Sequence, residues 1–186
     1  MTPWITKPVP FNIGQGAAAA EAAGCGITYD ETGRDAAQDL DGSIRNYSLK
    51  MLDGFEFIGC KIATAKFKVA AGSATIPAGD MYATLYSSAG VVKTTSDAIN
   101  MDTLNEDFQL IPFIFSAPTT IAINDFISFT ADYDAAPGFA NGWIKCGRDS
   151  SGAPVTVELW IGGVDSPDDI AQESSTRQPT MELIST

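Results

Sequence analysis

The chain has 186 residues, 45 % of them hydrophobic and only 18 % charged, with 17 glycines and 10 prolines. That is enough for one well-buried core and many turns, and it argues against both a disordered chain and a long-helix bundle. The formal charge is −12, from 23 acidic and 11 basic residues. A surface so acidic, with no basic stripe, repels phosphate backbones, so no nucleic-acid partner is expected.

Residues 1–16 hold Pro3, Pro8 and Pro10 among apolar Trp4, Ile5, Val9 and Phe11. Proline fixes φ and removes donors, which predicts an extended arm rather than a helix. An arm with these side chains either packs back on its own domain or docks on a neighbour, and Trp4, Ile5, Val9 and Phe11 are its assembly candidates. The opening lacks a basic n-region and an apolar h-region. The expectation is therefore synthesis in a cytoplasm, or a chain from which a signal has already been removed. No stretch is apolar and long enough to predict a membrane span.

Residues 17–43 are Ala/Gly-rich and then polar. A short helix is expected over 17–23, and the remainder reads as loop. This divides the chain into an N-terminal arm and loop, 1–43, and a β-domain, 44–186.

From residue 44 the pattern turns to short alternating runs. Lys61–Val69 places Ala63, Ala65, Phe67 and Val69 on one face, opposite Ile62, Thr64, Lys66 and Lys68. Met81–Tyr86 sets Met81, Ala83 and Leu85 against Tyr82, Thr84 and Tyr86. Residues Ser87 to Gly90 then turn the chain into Val91–Thr95, a hairpin signal. Ser96–Asn105 reads as a single helical turn in a connection. Phe108–Phe115 is apolar but broken by Pro112, as in an edge or bulged strand. Phe126–Tyr133 alternates most cleanly, predicting a half-buried strand with Ser128, Thr130 and Asp132 on a wet face. Gly142–Cys146, Val155–Trp160 and Met181–Ile184 supply three more strands. About eight strands with regular turn signals predict an all-β, two-sheet antiparallel β-sandwich, jelly-roll-like, carrying the Pro-rich arm.

The chain has no histidine. The commonest general base and the commonest metal ligand are therefore missing, and Ser-His-Asp, Cys-His and HExxH chemistry go with them. No phosphate-binding glycine loop is present. A glycosidase working with two carboxylates needs only Asp and Glu, but no particular pair stands out, so the chain reads as a non-enzyme. Cys25, Cys60 and Cys146 are too few and too widely spaced for a disulfide framework. At most one bridge can form, and Cys60 and Cys146, in apolar strand-like stretches, read as buried free thiols.

Asp39-Leu40-Asp41-Gly42-Ser43 looks like part of a calcium loop. The EF-hand pattern fails because the residue six past Gly42 is Ser48 rather than Glu. Asp39 and Asp41 stay as candidate Ca²⁺ ligands with distant carbonyls, against the plainer reading of a solvated Asx turn; no other cofactor is expected. Tyr133, Trp143 and Trp160 are candidates for a sugar-stacking platform, against the commoner role of large aromatics as core. Asn46-Tyr47-Ser48 is a glycosylation sequon, which matters only on a secretory route.

From Phe67 to Tyr133 the layout is recognisable. Ala83 to Gly90 (ATLYSSAG), Thr95-Ser96-Asp97, the Phe108–Phe115 run and Asp125–Tyr133 follow one another as in certain β-sandwich domains, and Met181–Ile184 resembles their closing strand. These domains occur in virion and tail-associated proteins of phages and archaeal viruses, and in secreted cell-surface or carbohydrate-binding proteins. The resemblance implies a jelly-roll-like sandwich living on a particle surface or outside cells, and it brings no catalytic residue. The expectation is a virion structural protein (capsid decoration, fibre or tail component), assembling as a homo-oligomer or with other virion proteins. The alternative is a secreted carbohydrate-binding or adhesion module with glycan partners.

Overall fold

The computed structural model describes residues 25–31, 36–41, 45–138, 140–149, 156–162, 170–174 and 178–186. The arm candidates Trp4, Ile5, Val9 and Phe11, and the helix expected over 17–23, lie outside them.

The described chain is a two-sheet antiparallel β-sandwich. In chain order its strands are β1 (Thr28–Glu31), β2 (Ala36–Leu40), β3 (Asn46–Met51), β4 (Lys61–Ala71), β5 (Gly79–Tyr86), β6 (Val92–Thr95) and β7 (Ile99–Asn100). After one 3₁₀ turn at Met101–Thr103, where the sequence predicts a single helical turn, come β8 (Gln109–Thr120), β9 (Phe126–Tyr133) and β10 (Ile144–Asp149). β11 (Val157–Gly162), β12 (Ile170–Ser174), β13 (Gln178–Pro179) and β14 (Met181–Ser185) complete the set.

The strands pair in a nested series, β3 with β11, β4 with β10 and β5 with β9, as in one long hairpin wound on itself. Sheet one holds β1, β2, β4, β8, β10, β13 and β14; sheet two holds β3, β5, β6, β7, β9, β11 and β12. In sheet one, β4 is flanked by β8 on one side and by β14 and β10, end to end, on the other. β1 and β2 then line the far edge, against β14 and β10 respectively.

Period-2 alternation decides which side chains enter the core. Met81, Ala83 and Leu85 of β5 and Ile127, Phe129 and Ala131 of β9 are buried, facing Phe67, Val69 and Phe113 of sheet one. Phe67, Phe113 and Phe129 form an aromatic triad across the sheets, with ring centroids 5.6–6.1 Å apart. Edge-to-face packing of this kind adds about 1 kcal/mol per pair beyond the area buried.

Four expectations change. Residues 28–31 and 36–40, read as loop, are strands of sheet one. Ile62 sits in the core rather than beside Lys66 and Lys68, because a bulge between Ile62 and Thr64 resets the alternation. Ser128 and Thr130, expected on a wet face, are buried, and only Asp132 is exposed. Register explains this: Ser48 stands opposite both Ser128 and Trp160, and Trp160 meets Phe126 edge-to-face at 5.4 Å across β3. The covered hydroxyls find partners within the sheet, Ser48 Oγ donating to Ser128 Oγ at 2.8 Å and Thr130 Oγ1 to the Asn46 amide oxygen at 2.6 Å. Finally, Cys60 is not free but bridged to Cys25 across 35 residues, while Cys146 is the buried free thiol expected.

Candidate functional site

One end of sheet one gathers most of the singled-out residues. Trp143 immediately precedes β10, and Asp39 and Asp41 lie in and just after β2, its neighbour. With Gly138 they line a recess of about 180 Å³. The Trp143 Nε1–H donates to Asp39 Oδ1 at 3.2 Å, which fixes the indole in its plane. A Cβ at residue 72 would fall 2.1–2.4 Å from Nε1, Cε2 and Cδ1 of that ring, so the indole lies directly across the bare Cα of Gly72. Only glycine allows that seat. Lys145 places its ammonium 5.9 Å from the Trp143 ring centroid.

Tyr133 supports the recess from within. Its hydroxyl accepts from the Ile144 amide and donates to the Leu40 carbonyl, joining β10 to β2. It is a core residue, not part of a platform. Burial pushes its phenol pKa up, only partly opposed by the Ile144 hydrogen bond. The Arg45 guanidinium lies 5.8 Å from its ring centroid. Trp160 stands elsewhere, on the outer face of sheet two, with Nε1–H on Glu158 Oε2 at 3.1 Å and Lys50 Nζ 4.8 Å from its ring. The three aromatics are thus separated: Tyr133 inward, Trp143 at the recess, Trp160 on the opposite sheet.

Asp39 and Asp41 do come together, but among the described residues no group of three or more His, Cys, Asp or Glu gathers to hold a metal. A Ca²⁺ at this place would have to take most of its six to eight oxygens from carbonyls and water. Asn46 of the sequon is buried, so in the folded chain its side-chain nitrogen, the atom a glycan would be joined to, is covered. A second recess, about 250 Å³, is lined by Thr75, Ile76, Ala78, Ala135, Ala140 and Asn141. It holds no ionisable group among those residues. No described helix is long and apolar enough to cross a membrane.

The fold and the recess define a β-sandwich with an acid-flanked aromatic plate beside one sheet edge. No family model, no curated protein and no solved structure matches the chain. Gly72, which seats the Trp143 indole, is the residue of this recess that sequence reading missed; an "AAG" at the end of a strand carries no sign that an indole must lie upon it.

Proposed function

We propose that the chain is a non-enzymatic structural protein of a virus particle, a capsid decoration, fibre or tail component, assembling through the edge of its sandwich. The observation that supports this reading is the unequal treatment of the two edges of sheet one. The β8 edge carries Pro112 and Pro118, which remove donors, and β6 side chains reach its far half: Lys93 Nζ bonds Thr120 O and Thr94 Oγ1 bonds Ala117 O. Such features blunt an edge against further strands. The β1–β2 edge, TYDE and AAQDL, carries neither proline nor lysine, and among the described residues it pairs on one side only.

The alternation of the ladder says which groups face outward there. Gly72 N–H donates to Trp143 O, so residues 143, 145 and 147 turn their backbone groups toward β4 and its flank, and 144, 146 and 148 turn theirs toward β2. In β2, Gln38 and Ala36 stand opposite 146 and 148, and the Tyr133 hydroxyl bridges the Ile144 N–H to the Leu40 carbonyl, so the backbone groups of Ala37 and Asp39 are directed outward, the Asp39 carbonyl accepting there from Gln38 Nε2 at 3.2 Å. An outward row of donors and acceptors is what a further strand pairs with.

The test is light scattering coupled to size exclusion on the full chain and on Ala37→Pro. Proline at 37 removes an outward N–H and spares the ladder to β10. A stable oligomer that falls to monomer in A37P, with an unchanged melting temperature, is expected. A monomeric wild type, or an A37P oligomer of the same size, rejects edge assembly. Deleting residues 1–41 would be the wrong experiment, because it removes two strands and Cys25.

The second reading, a secreted carbohydrate-binding module, is favoured by the convergence of Asp39, Asp41 and Trp143 on one recess.

A further inference from the structure

We infer that the Cys25–Cys60 bridge is a redox switch on the open edge of sheet one, fixing β1 for assembly when closed and releasing it when reduced; this rests on the edge-assembly reading and adds its regulation. Three features of the bridge and of β1 lead there.

First, β1 supplies half of the outward row. Ser185 N–H donates to Ile27 O at 3.1 Å, so residues 27, 29 and 31 turn their backbone groups to β14, and Thr28 and Asp30 turn theirs outward. With Ala37 and Asp39 of β2 they make up the row that a further strand would meet. Without β1 that row shrinks to the five residues of β2.

Second, β1 is the strand most dependent on the bridge. It has four residues, and among the described residues it pairs with β14 alone. Its inner anchor is Ile27, half-buried against the core, whose N–H donates to Ser185 Oγ at 2.9 Å. Cys25 stands just before that anchor and is bridged to Cys60. So short a strand gains few bonds for the chain entropy lost in ordering it, and the tether decides its position. β2 is held differently: Leu40 is wholly buried and its carbonyl accepts from the Tyr133 hydroxyl. β14 keeps its own ladder to β4, with Met181 and Leu183 in the core. Opening the bridge therefore frees β1 and leaves the sandwich closed.

Third, the bridge is placed for thiol exchange and has one product. Cys25 is exposed and Cys60 buried, so a small thiolate attacks the Cys25 sulfur and Cys60 leaves as thiolate. A second thiol then resolves the mixed disulfide. Two reductant thiols become one disulfide, and the protein's disulfide becomes two thiols. A low-molecular-weight disulfide runs the same steps backwards. Cys146 cannot intrude. Cys60 immediately precedes β4, and Cys146 stands opposite Val69 near its other end, roughly 30 Å away at ~3.3 Å per residue. That is far beyond the range of about 7 Å over which two cysteines can be bridged. A chain made in a reducing cytoplasm is thus held unassembled and becomes competent where disulfides persist.

The experiment measures the molar mass of the full chain by light scattering coupled to size exclusion, as purified, in dithiothreitol, and after oxidised glutathione replaces the dithiothreitol. Thiol counts on denatured samples, one for the closed bridge and three for the open, report its state. The oligomer should fall to monomer when the bridge opens and return when it closes. Cys25→Ser with Cys60→Ser should be monomeric without reductant. Hydrogen exchange reads the strand itself: reduction should lower protection about tenfold or more at the Leu183 and Ser185 amides, which face β1, and spare Glu182 and Ile184, which face β4. An oligomer of unchanged mass with three thiols open overturns the switch and leaves the edge reading in place. A monomer in both states removes the edge reading, and the switch with it. Protection lost across the whole sandwich would make the bridge a staple of the entire fold, and growth to larger species on reduction would make it a guard on β14; either overturns the inference.

Discussion

The hydroxyl of Tyr133, in sheet two, accepts the backbone N–H of Ile144, in sheet one, at 3.0 Å. The same oxygen donates to the Leu40 carbonyl, so one phenol closes β2 onto β10 at the end where Asp39, Asp41 and Trp143 meet. Tyr133→Phe keeps the ring and strips both bonds, leaving a buried amide and a buried carbonyl unpaired. A loss of about 1–3 kcal/mol is expected. Urea unfolding at constant m would measure it; a change within a few tenths of a kcal/mol would mean that the backbone closes the gap by itself.

Alkaline pH should destabilise the protein. Burial raises the Tyr133 and Tyr86 phenols above 10.0, and the Cys146 thiol well above 9.0. For each, the folded state holds its proton after the unfolded state has released it. Stability is therefore full below pH 9 and falls as pH climbs through 9 and 10. Melting temperatures across that window should decline, and Y133F should flatten the decline above pH 10. A profile unchanged up to pH 11 would contradict the buried, proton-bound state of these groups.

The Cys25–Cys60 bridge ties the segment before β1 to the start of β4. Chain-entropy arithmetic for a loop of this length gives about 4 kcal/mol of stabilisation, before any native-state cost. Reduction, or Cys25→Ser with Cys60→Ser, should lower the melting temperature by several degrees or more. Thiol counting gives a sharper check: the denatured, unreduced chain should titrate one thiol, Cys146, and the reduced chain three. Three thiols without reductant would rule out the bridge.

Asp125 is 2 % exposed and accepts from Lys93 Nζ at 2.6 Å and from the Ala122 amide at 2.7 Å. It joins the turn before β9 to β6. Removing the carboxylate leaves a half-buried ammonium and an amide without their acceptor, so Asp125→Ala should cost about 3–5 kcal/mol. Asp125→Asn, which keeps an acceptor, should cost clearly less. Equal losses in the two variants would show that charge, rather than hydrogen bonding, holds the turn.

Much of the strand inventory could be read from residues alone. The alternation of Met81, Ala83 and Leu85, and of Ile127, Phe129 and Ala131, appears in the core as expected. The Ser87–Gly90 turn closes as a hairpin, with Gly90 at φ 77°. Pro112 marks an edge strand, and β8 lies at one. These features are legible because alternation, φ preference and missing donors are properties of a few consecutive residues.

The candidate site was legible only as separate fragments. Asp39 and Trp143 stand 104 positions apart, and each also suits a plainer role, an Asx turn or a core aromatic. They meet because β2 pairs with β10 in one register, and a slip of a single residue would turn one of them to the other face. Ile62 joined the core through a bulge that its own run does not announce, and Ser128 lies in the row where Trp160, two strands away, reaches back to Phe126. Cys25 found Cys60 only once β1 lay along β14.

The sequence by itself determined an all-β chain, the alternation of strands such as Phe126–Tyr133 and the absence of histidine chemistry, since composition and period are carried by each segment alone. Which carboxylate faces which ring, which edge of sheet one stays open, and which cysteines join were decided only by tertiary structure. Those outcomes depend on strand register and order between distant segments, and no local pattern of residues encodes them.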